Sequence, residues 1–394
     1  MAGIGVEPYW ELAVDASGAL DPARRDALAR GVRERRLTDL VVFAHGWNND
    51  HTTTTRLLRR FFTPFPALLV RDGTSARVGY AGVFWPSLRF AEEPAVDHKP
   101  NAFADQAANM ALERGVAAET LDGLVALFPE HTESLRRMNG LLRERPLSQA
   151  RLAEFLGLVR KLSGEPPLAM LNDLPARVYE EFAGALERTG ARLPGDPFAR
   201  LWSGAREVLR QAAYGLMLRR GAHAGEVGLG PALGRLARDA AGTRVHLLGH
   251  GFGAALAASA ARSALRPAGS LTLLQAPLTE EELRGVERRV AGPVVVCHSR
   301  HDDWLGVLYP IASRVTGTPE GPRAVGYAGL AQEAVRLPLA ATAPSVTRRF
   351  PDSGRVSVDA SSVVRNGCPP VGAHLDVCHA DLARVVLRAA RIMR

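Results

Sequence analysis

Short apolar runs bounded by turn residues alternate along this chain with longer segments of helical periodicity. β-Branched and aromatic residues fill five of these runs, and each run predicts a buried strand. The predicted strands are Asp39–Ala44, Gly79–Trp85, Arg244–Leu248, Ser270–Leu274 and Pro293–Cys297. Strands that alternate with helices in this way are typical of a mostly parallel sheet covered by helices. The pattern therefore predicts an α/β fold.

Segments near the two chain ends extend this pattern. Tyr9–Ala16 predicts an edge strand, and Asp21–Arg35 predicts a helix. Asp21 is a favourable N-cap for that helix, and Pro22 suits its first position because proline needs no hydrogen bond there. At the other end, Ala380–Met393 repeats apolar residues at helical spacing, so it predicts a closing helix.

The pattern changes after about residue 91, where strand-like runs disappear and amphipathic helices take over. Apolar residues recur at positions i, i+3, i+4 and i+7 in Leu152–Val159 and again in Tyr179–Leu186. A third stripe, Ala205–Ala212, leads towards the strand at Arg244. Such stripes are typical of core positions, so this region is expected to be packed helix.

These stripes divide the chain into two parts. Residues 91–200 are predicted to form a helical insertion, with breaks at the two prolines 166–167 and at Leu193–Pro197. Residues 1–90 and 201–394 are predicted to form the α/β core around the sheet. An insertion between strands of such a sheet is a common place for a lid over a ligand site.

Composition excludes several function classes. The chain has 394 residues, 46% hydrophobic and 23% charged, which is ordinary for a globular protein. Its net charge of +8 comes from scattered arginines, so we expect no nucleic-acid partner. Three cysteines without metal-type spacing indicate a reducing compartment. Because no signal-type N-terminus and no long apolar run appear, we expect a cytoplasmic protein without a membrane anchor.

The sharpest local motif is G-H-G-F-G at Gly249–Gly253, between the strand from Arg244 and a helix of small residues. In the nucleophile elbow, G-x-S-x-G, the central serine lies on a strained turn between a strand and a helix. Here Gly251 occupies that central position, beside His250. Dinucleotide-binding loops also take this glycine-rich form, so the motif alone does not settle the function.

A second motif follows the strand Asp39–Ala44. His45 and Gly46 open the turn, and Trp47 comes next. In hydrolases with a nucleophile elbow, a backbone N–H from such a turn and the N–H after the nucleophile position together bind a developing oxyanion. The predicted oxyanion donors are therefore the N–H groups of Trp47 and Phe252.

A carboxylate and a histidine follow in the order that this fold uses. Asp302 lies in the loop after the strand Pro293–Cys297, where the acid of a catalytic triad is expected. His374 and His379 both come later, and either can supply the histidine. We prefer His374 because it lies in the loop before the last helix, whereas His379 begins that helix.

Taken together, these motifs resemble the α/β-hydrolase superfamily. The likeness is greatest to a group of actinobacterial-type members with an HGWNN turn, a GHSFG elbow and an HSxHD loop. The matching segments here are His45–Asn49, Gly249–Gly253 and His298–Asp302, followed by the histidine at His374. The resemblance covers roughly residues 36–90 and 240–394 and implies a serine hydrolase acting on esters or amides, without an organic cofactor.

The chain departs from that family at the nucleophile, since Gly251 offers neither a hydroxyl nor a thiol. Ser299 lies beside the predicted acid and Ser259 lies well along the helix after the elbow, so neither is expected at the tip of the turn. The histidines near Asp50 and Asp303 lack the spacing of a metal site. We therefore expect no metal and no acyl-enzyme chemistry.

Three hypotheses for the function stay open. The protein is a degenerate hydrolase that binds a small molecule, or it is an active serine hydrolase captured as an engineered variant. In the third, His374 and the oxyanion hole catalyse a reaction without a covalent intermediate. The apolar stripes of the insertion favour an apolar acyl ligand in each case.

Overall fold

The protein is built around an eight-stranded sheet in which every neighbouring pair of strands is parallel. The computed structural model describes residues 4–93, 115–163, 174–315, 323–331, 333–342 and 350–393. The strands are β1 Tyr9–Ala13, β2 Asp39–Ala44, β3 Val78–Phe84, β4 Arg244–His250, β5 Ser270–Leu274, β6 Pro293–His298, β7 Ala334–Pro338 and β8 Gly354–Asp359. Their order across the sheet is β1-β3-β2-β4-β5-β6-β8-β7. The predicted α/β fold with a parallel sheet is confirmed.

Helices cover both faces of this sheet. They are α1 Pro22–Glu34, α2 His51–Phe62, α3 Phe65–Asp72, α4 Ala118–Leu127, α5 Thr132–Glu144, α6 Gln149–Ser163, α7 Pro175–Arg188, α8 Pro197–His223, α9 Gly230–Asp239, α10 Phe252–Ser263, α11 Tyr309–Val315, α12 Val325–Ala328 and α13 Ala380–Ala389. In β2, Leu40 and Val42 join one hydrophobic core and Val41 and Phe43 join the other. Apolar residues fill β2 without interruption because side chains on both faces are buried.

The two cores hold different helices. One core joins α1 and α8–α10 to the described part of the insertion, whereas α2, α3 and α13 pack on the opposite face. Among the described residues, no helix is both long and apolar enough to cross a membrane.

Several predicted bounds differ from the structure. The first strand ends at Ala13 rather than Ala16, and the closing helix ends at Ala389 rather than Met393. Asp21 does cap α1, since its carboxylate accepts the N–H groups of Ala23 and Arg24. A short bridge and a turn follow the first strand, so its pairing with the sheet stops early.

The helical character of the insertion is present wherever the structure describes it. Helices α4–α7 lie within it, and the predicted break at Leu193–Pro197 separates α7 from α8. The predicted boundary at residue 200 falls inside α8, which continues without interruption to His223. The predicted break at prolines 166–167 lies outside the described residues.

Several elements were not predicted from the sequence, among them two strands and a helix. Strands β7 and β8 contain arginines and a serine among their apolar residues, so they do not form apolar runs. In helix α2, four threonines follow the first residue, His51, and their branched side chains favour strands. Asp50 offsets that preference, because its carboxylate accepts the N–H of Thr53 at 2.7 Å and the Thr53 hydroxyl accepts the N–H of Asp50 at 2.8 Å.

One side of α8 carries buried charges. Arg206 donates to Glu92 at 2.8 Å, and Arg210 donates to Glu93 through two nitrogens at 2.7 and 3.3 Å. Glu207, between the two arginines, is fully buried, and burial raises the pKa of its carboxyl group. We call these five residues the arginine–glutamate cluster, which connects α8 to the chain segment just after β3.

Candidate functional site

Gly251 lies in the tight turn that joins β4 to α10. Its φ of +53° and ψ of −124° belong to a region of backbone conformation that side chains rarely adopt. The turn packs closely on its neighbours. A Cβ on Gly249 would collide with the backbone oxygen of Gly253, and a Cβ on Gly253 would collide with the backbone oxygen of Ala44. The G-x-G-x-G motif therefore folds as a tight turn between a strand and a helix, in a conformation that suits glycine.

His374 and Asp302 form a buried pair beside this turn. Their Nδ1 and Oδ2 atoms are 2.7 Å apart, and the other carboxylate oxygen accepts the N–H of Leu305 at 3.0 Å. Burial raises the pKa of Asp302, and the attraction of His374 partly offsets this rise. When the carboxylate is ionised and the imidazole neutral, Nδ1 donates to Asp302 and Nε2 carries the lone pair.

The free nitrogen of His374 faces Gly251. A Cβ built on Gly251 lies 3.1 Å from Nε2 of His374 and 3.6 Å from the Cα of Gly46. A hydroxyl attached to that Cβ would lie within hydrogen-bonding reach of the imidazole. The structure thus brings together all three residues predicted for a catalytic triad, with a glycine at the nucleophile position.

The predicted oxyanion turn lies beside Gly251 because its strand is a neighbour of β4. Strands β2 and β4 pair in parallel, with Ala44 opposite Gly249, so the turns after them are adjacent. Among the described residues, neither the N–H of Trp47 nor that of Phe252 has a hydrogen-bond acceptor. Asn49 fixes the turn, since its amide donates to the carbonyls of Gly46 and Trp47 at 3.1 and 2.8 Å.

Two buried histidines support the site in their neutral form. Nδ1 of His45 lies 2.8 Å from the carbonyl oxygen of Gly46, and burial lowers the pKa of His45 to about 4. His250 lies 2.9 Å through Nε2 from the carbonyl of His374. Burial, with a smaller effect of the neighbouring His374, lowers the pKa of His250 to about 3. Both rings therefore hold backbone carbonyls in place and carry no charge at neutral pH.

These low pKa values predict a loss of stability in mild acid. The unfolded chain takes up protons at an ordinary histidine pKa near 6.5, whereas the folded His45 and His250 do so only near pH 4 and 3. The contribution of the two neutral histidines to stability is complete above pH 6.5. It is lost as the pH falls towards their pKa values in the folded protein. Between pH 7 and pH 5 each histidine should lower the free energy of unfolding by about 2 kcal/mol.

Urea unfolding at the two pH values measures this effect. The variant His250→Gln should lose less stability than the wild type over the same range, by about 2 kcal/mol. His51→Gln is the matched control, because the His51 side chain is 68% exposed and should leave the pH dependence unchanged. An unchanged pH dependence in His250→Gln would contradict the assignment of His250 as a buried neutral histidine.

Four aromatic residues, which we call the aromatic wall, pack against one another beside the site, and the sequence predicts a role for only two of them. The wall consists of Trp47, Tyr214, Phe252 and Trp304. The ring of Trp304 lies 4.6 Å from that of His374, and Tyr214 lies 4.7 Å from Phe252. Trp304 lies two residues after Asp302, which is a local signal, but Tyr214 comes from α8, and no local pattern indicates its contact.

The remaining candidates lie elsewhere. His379 pairs with Asp376 at 2.8 Å, so it is His374 that the structure brings to Asp302. The hydroxyl of Ser299 is buried and donates to the carbonyl of Val364, and Ser259 lies eight residues along the chain from Gly251, in α10. Within the described ranges, no three His, Cys, Asp or Glu side chains converge as metal ligands do.

A cleft of about 710 Å³ opens next to the oxyanion turn. His45 and Asn49 line it on the side of the turn, and Trp85, Leu88 and Leu127 give it an apolar wall. Gly251 and His374 do not line this cleft. The cleft therefore borders the turn after β2, whereas Trp304 of the aromatic wall contacts His374.

Comparisons with protein-family models, with curated proteins and with solved structures found no match for this chain.

Proposed function

We propose that this chain is an α/β-hydrolase-superfamily protein that binds a small carbonyl compound noncovalently, at a serine-hydrolase-type site without its nucleophile. The observation that carries the proposal is that His374 directs Nε2 at Gly251, where an elbow side chain would begin. Because glycine supplies no nucleophilic atom, no acyl-enzyme forms. The N–H groups of Trp47 and Phe252 remain as donors for a carbonyl oxygen.

The topology supports the family assignment. The chain passes from β2 outwards to β3 and then returns to β4, on the other side of β2. In parallel α/β sheets, ligands bind at the carboxyl ends of strands where the order reverses in this way. The candidate nucleophile position follows β4, the acid follows β6 and the histidine follows β8, which is the chain order of this superfamily.

The position of the insertion supports the proposal that it is a lid. It lies between β3 and β4 in the chain and is followed by α8, which supplies Tyr214. Tyr214 contacts Phe252, and its ring also lies 5.2 Å from that of Trp304, so α8 packs against the segments that directly follow Gly251 and Asp302. The aromatic wall offers an apolar surface to an acyl chain.

Calorimetric titration with methyl hexanoate and N-methylhexanamide tests the binding function. Wild-type protein should bind at least one of these compounds saturably, and its mass should be unchanged afterwards. The variant His374→Gln keeps an N–H for Asp302 and should weaken binding by at least about tenfold. His379→Gln is the matched control and should bind as the wild type does. If the wild type shows no saturable binding, or gains the mass of an acyl group, the proposal is wrong.

Catalysis without a covalent intermediate is a second candidate, favoured by the intact Asp302–His374 pair. In this reaction Nε2 of His374 takes a proton from water in the space beside Gly251, and the water oxygen attacks the carbonyl carbon. The oxyanion hole stabilises the tetrahedral anion, which then expels the leaving group, and the imidazolium returns the proton to that group. This candidate is supported if the wild type hydrolyses an aryl ester slowly, is not labelled by a fluorophosphonate, and loses the activity in His374→Gln. Equal rates in the wild type and His374→Gln exclude it.

The cytoplasmic location and the lack of a nucleic-acid partner stay predictions from the sequence.

A further inference from the structure

Gln275 directly follows β5, the strand next to the elbow strand. In the pairing of β4 with β5, His250 lies opposite Leu274, and the N–H of Gly251 donates to the carbonyl of Leu274 at 3.0 Å. Gly251 and Gln275 are therefore the next residues on two neighbouring strands, where backbones lie roughly 4.8 Å apart. This register places Gln275 at the same edge of the sheet as the candidate site.

Gln275 has three unusual properties at once. Its φ is +43°, a left-handed conformation that residues other than glycine and asparagine rarely adopt. Its side chain is fully buried, with 0% exposure. Among the described residues, neither the nitrogen nor the oxygen of its side-chain amide has a hydrogen-bond partner.

The neighbours of Gln275 hold its backbone in place. Its N–H donates to the carbonyl of Cys297 at 3.2 Å, and the next residue, Ala276, accepts the N–H of Gly326 at 3.0 Å. Gly326 lies so close that a Cβ on it would collide with the Gln275 backbone. The strain is thus maintained by the surrounding structure, which is the usual condition for strain at a functional position.

Nothing in the fold requires a glutamine here. Glycine would adopt the positive φ without strain, and an apolar side chain would avoid a buried amide that forms no hydrogen bonds. Buried polar groups almost always have partners, so an amide with none calls for a partner outside the protein chain.

The aromatic wall shows the same lack of partners. Trp47, Tyr214 and Trp304 are each at least nine-tenths buried, and their indole N–H or hydroxyl groups have no hydrogen-bond partner among the described residues. The ring of Tyr214 lies 5.2 Å from Trp304 and 6.3 Å from Trp47. Three polar atoms of the aromatic wall are therefore buried without a partner among the described residues, as the amide of Gln275 is.

From these observations we infer that Gln275 is a recognition residue of the candidate site and selects an amide over an ester. A carboxamide side chain presents one donor group and one acceptor beside each other. The N–H and C=O of a trans amide point in opposite directions, so such a ligand can donate its N–H to the oxygen of Gln275 while its carbonyl oxygen accepts the N–H groups of Trp47 and Phe252. An ester has no N–H and leaves the oxygen of Gln275 without a donor. The inference rests on the proposed binding function and names its ligand class.

The two hexanoyl compounds test this selection because they differ mainly in an N–H in place of an ester oxygen. Calorimetry on wild-type protein should show that N-methylhexanamide binds at least about tenfold more tightly than methyl hexanoate. In Gln275→Met, which keeps the length of the side chain but removes the amide, the two affinities should become nearly equal. Gln149→Met, at an exposed glutamine of α6, should keep the wild-type preference.

Thermal unfolding of Gln275→Met separates recognition from a structural role. An amide without protein partners adds nothing to stability, so this variant should unfold at or above the wild-type temperature. Three results would overturn the inference and leave the binding function intact. They are equal affinities of the wild type for the two compounds, an amide preference that persists in Gln275→Met, and a lower unfolding temperature of Gln275→Met than of the wild type. If neither compound binds the wild type, both the inference and the proposed function fail.

Discussion

Replacing Gly251 by serine is expected to give a protein that fluorophosphonates label and that hydrolyses short aryl esters. The new hydroxyl would be attached to a Cβ that lies 3.1 Å from Nε2 of His374, so the imidazole can accept its proton. Asp302 orients the imidazole through the 2.7 Å contact with Nδ1. Because loss of the nucleophile costs a serine hydrolase about 10⁶ in turnover, we expect a gain of at least about 10³-fold over the wild type.

Labelling stoichiometry by mass spectrometry and the hydrolysis of 4-nitrophenyl butyrate measure this gain. Gly251→Ala is the matched control, since it adds the same Cβ without a hydroxyl and should be neither labelled nor active. The double variant Gly251→Ser with His374→Gln should also remain inactive, because no base faces the hydroxyl. A left-handed serine costs about 1–2 kcal/mol, so unfolding measurements must first establish that each variant is folded. A folded Gly251→Ser variant without labelling would contradict the geometry of the site.

Local sequence patterns predicted the parts of the molecule that depend on neighbours in the chain. All five predicted strands are present. They could be predicted because an apolar run between turn residues is visible in the local sequence. The turns that follow β2, β4 and β6 meet at one edge because parallel strands all end on the same side. This rule is sufficient to bring His45, Gly251 and Asp302 into one region of the structure.

The elements and site residues that the sequence does not predict depend on contacts between distant segments of the chain. Strand β8 pairs with β6, and β7 pairs only with β8, so their mixed polar residues fit an edge of the sheet that no local pattern reveals. Tyr214 reaches the site through the packing of α8 on α10. Gln275 looks like an ordinary residue after a strand, and its strain and lack of partners are visible only in three dimensions.

Replacing Arg210 by methionine should be among the most destabilising single changes in α8. Arg210 is 2% exposed, donates twice to Glu93 and lies with its guanidinium carbon 4.6 Å from the ring centre of Trp47. Its removal leaves Glu93 without its buried cation, and among the described residues the remaining hydrogen bond to Glu93 comes from the amide of Asn48 at 2.7 Å. Loss of one partner of a buried ion pair costs about 3–5 kcal/mol, and urea unfolding should show a loss of that size.

An exposed arginine of the same helix provides the control, and removing the charge of Glu93 provides a compensating variant. Arg200, also in α8, pairs with Glu180 and Glu187, whose side chains are 56% and 45% exposed, so Arg200→Met should cost less than about 1 kcal/mol. Adding Glu93→Gln to Arg210→Met removes the unpaired charge and should recover much of the lost stability. If the single and double variants are equally unstable, the loss comes not from the ion pair with Glu93 but from the other contacts of Arg210, which include Glu207 at 3.4 Å and the ring of Trp47.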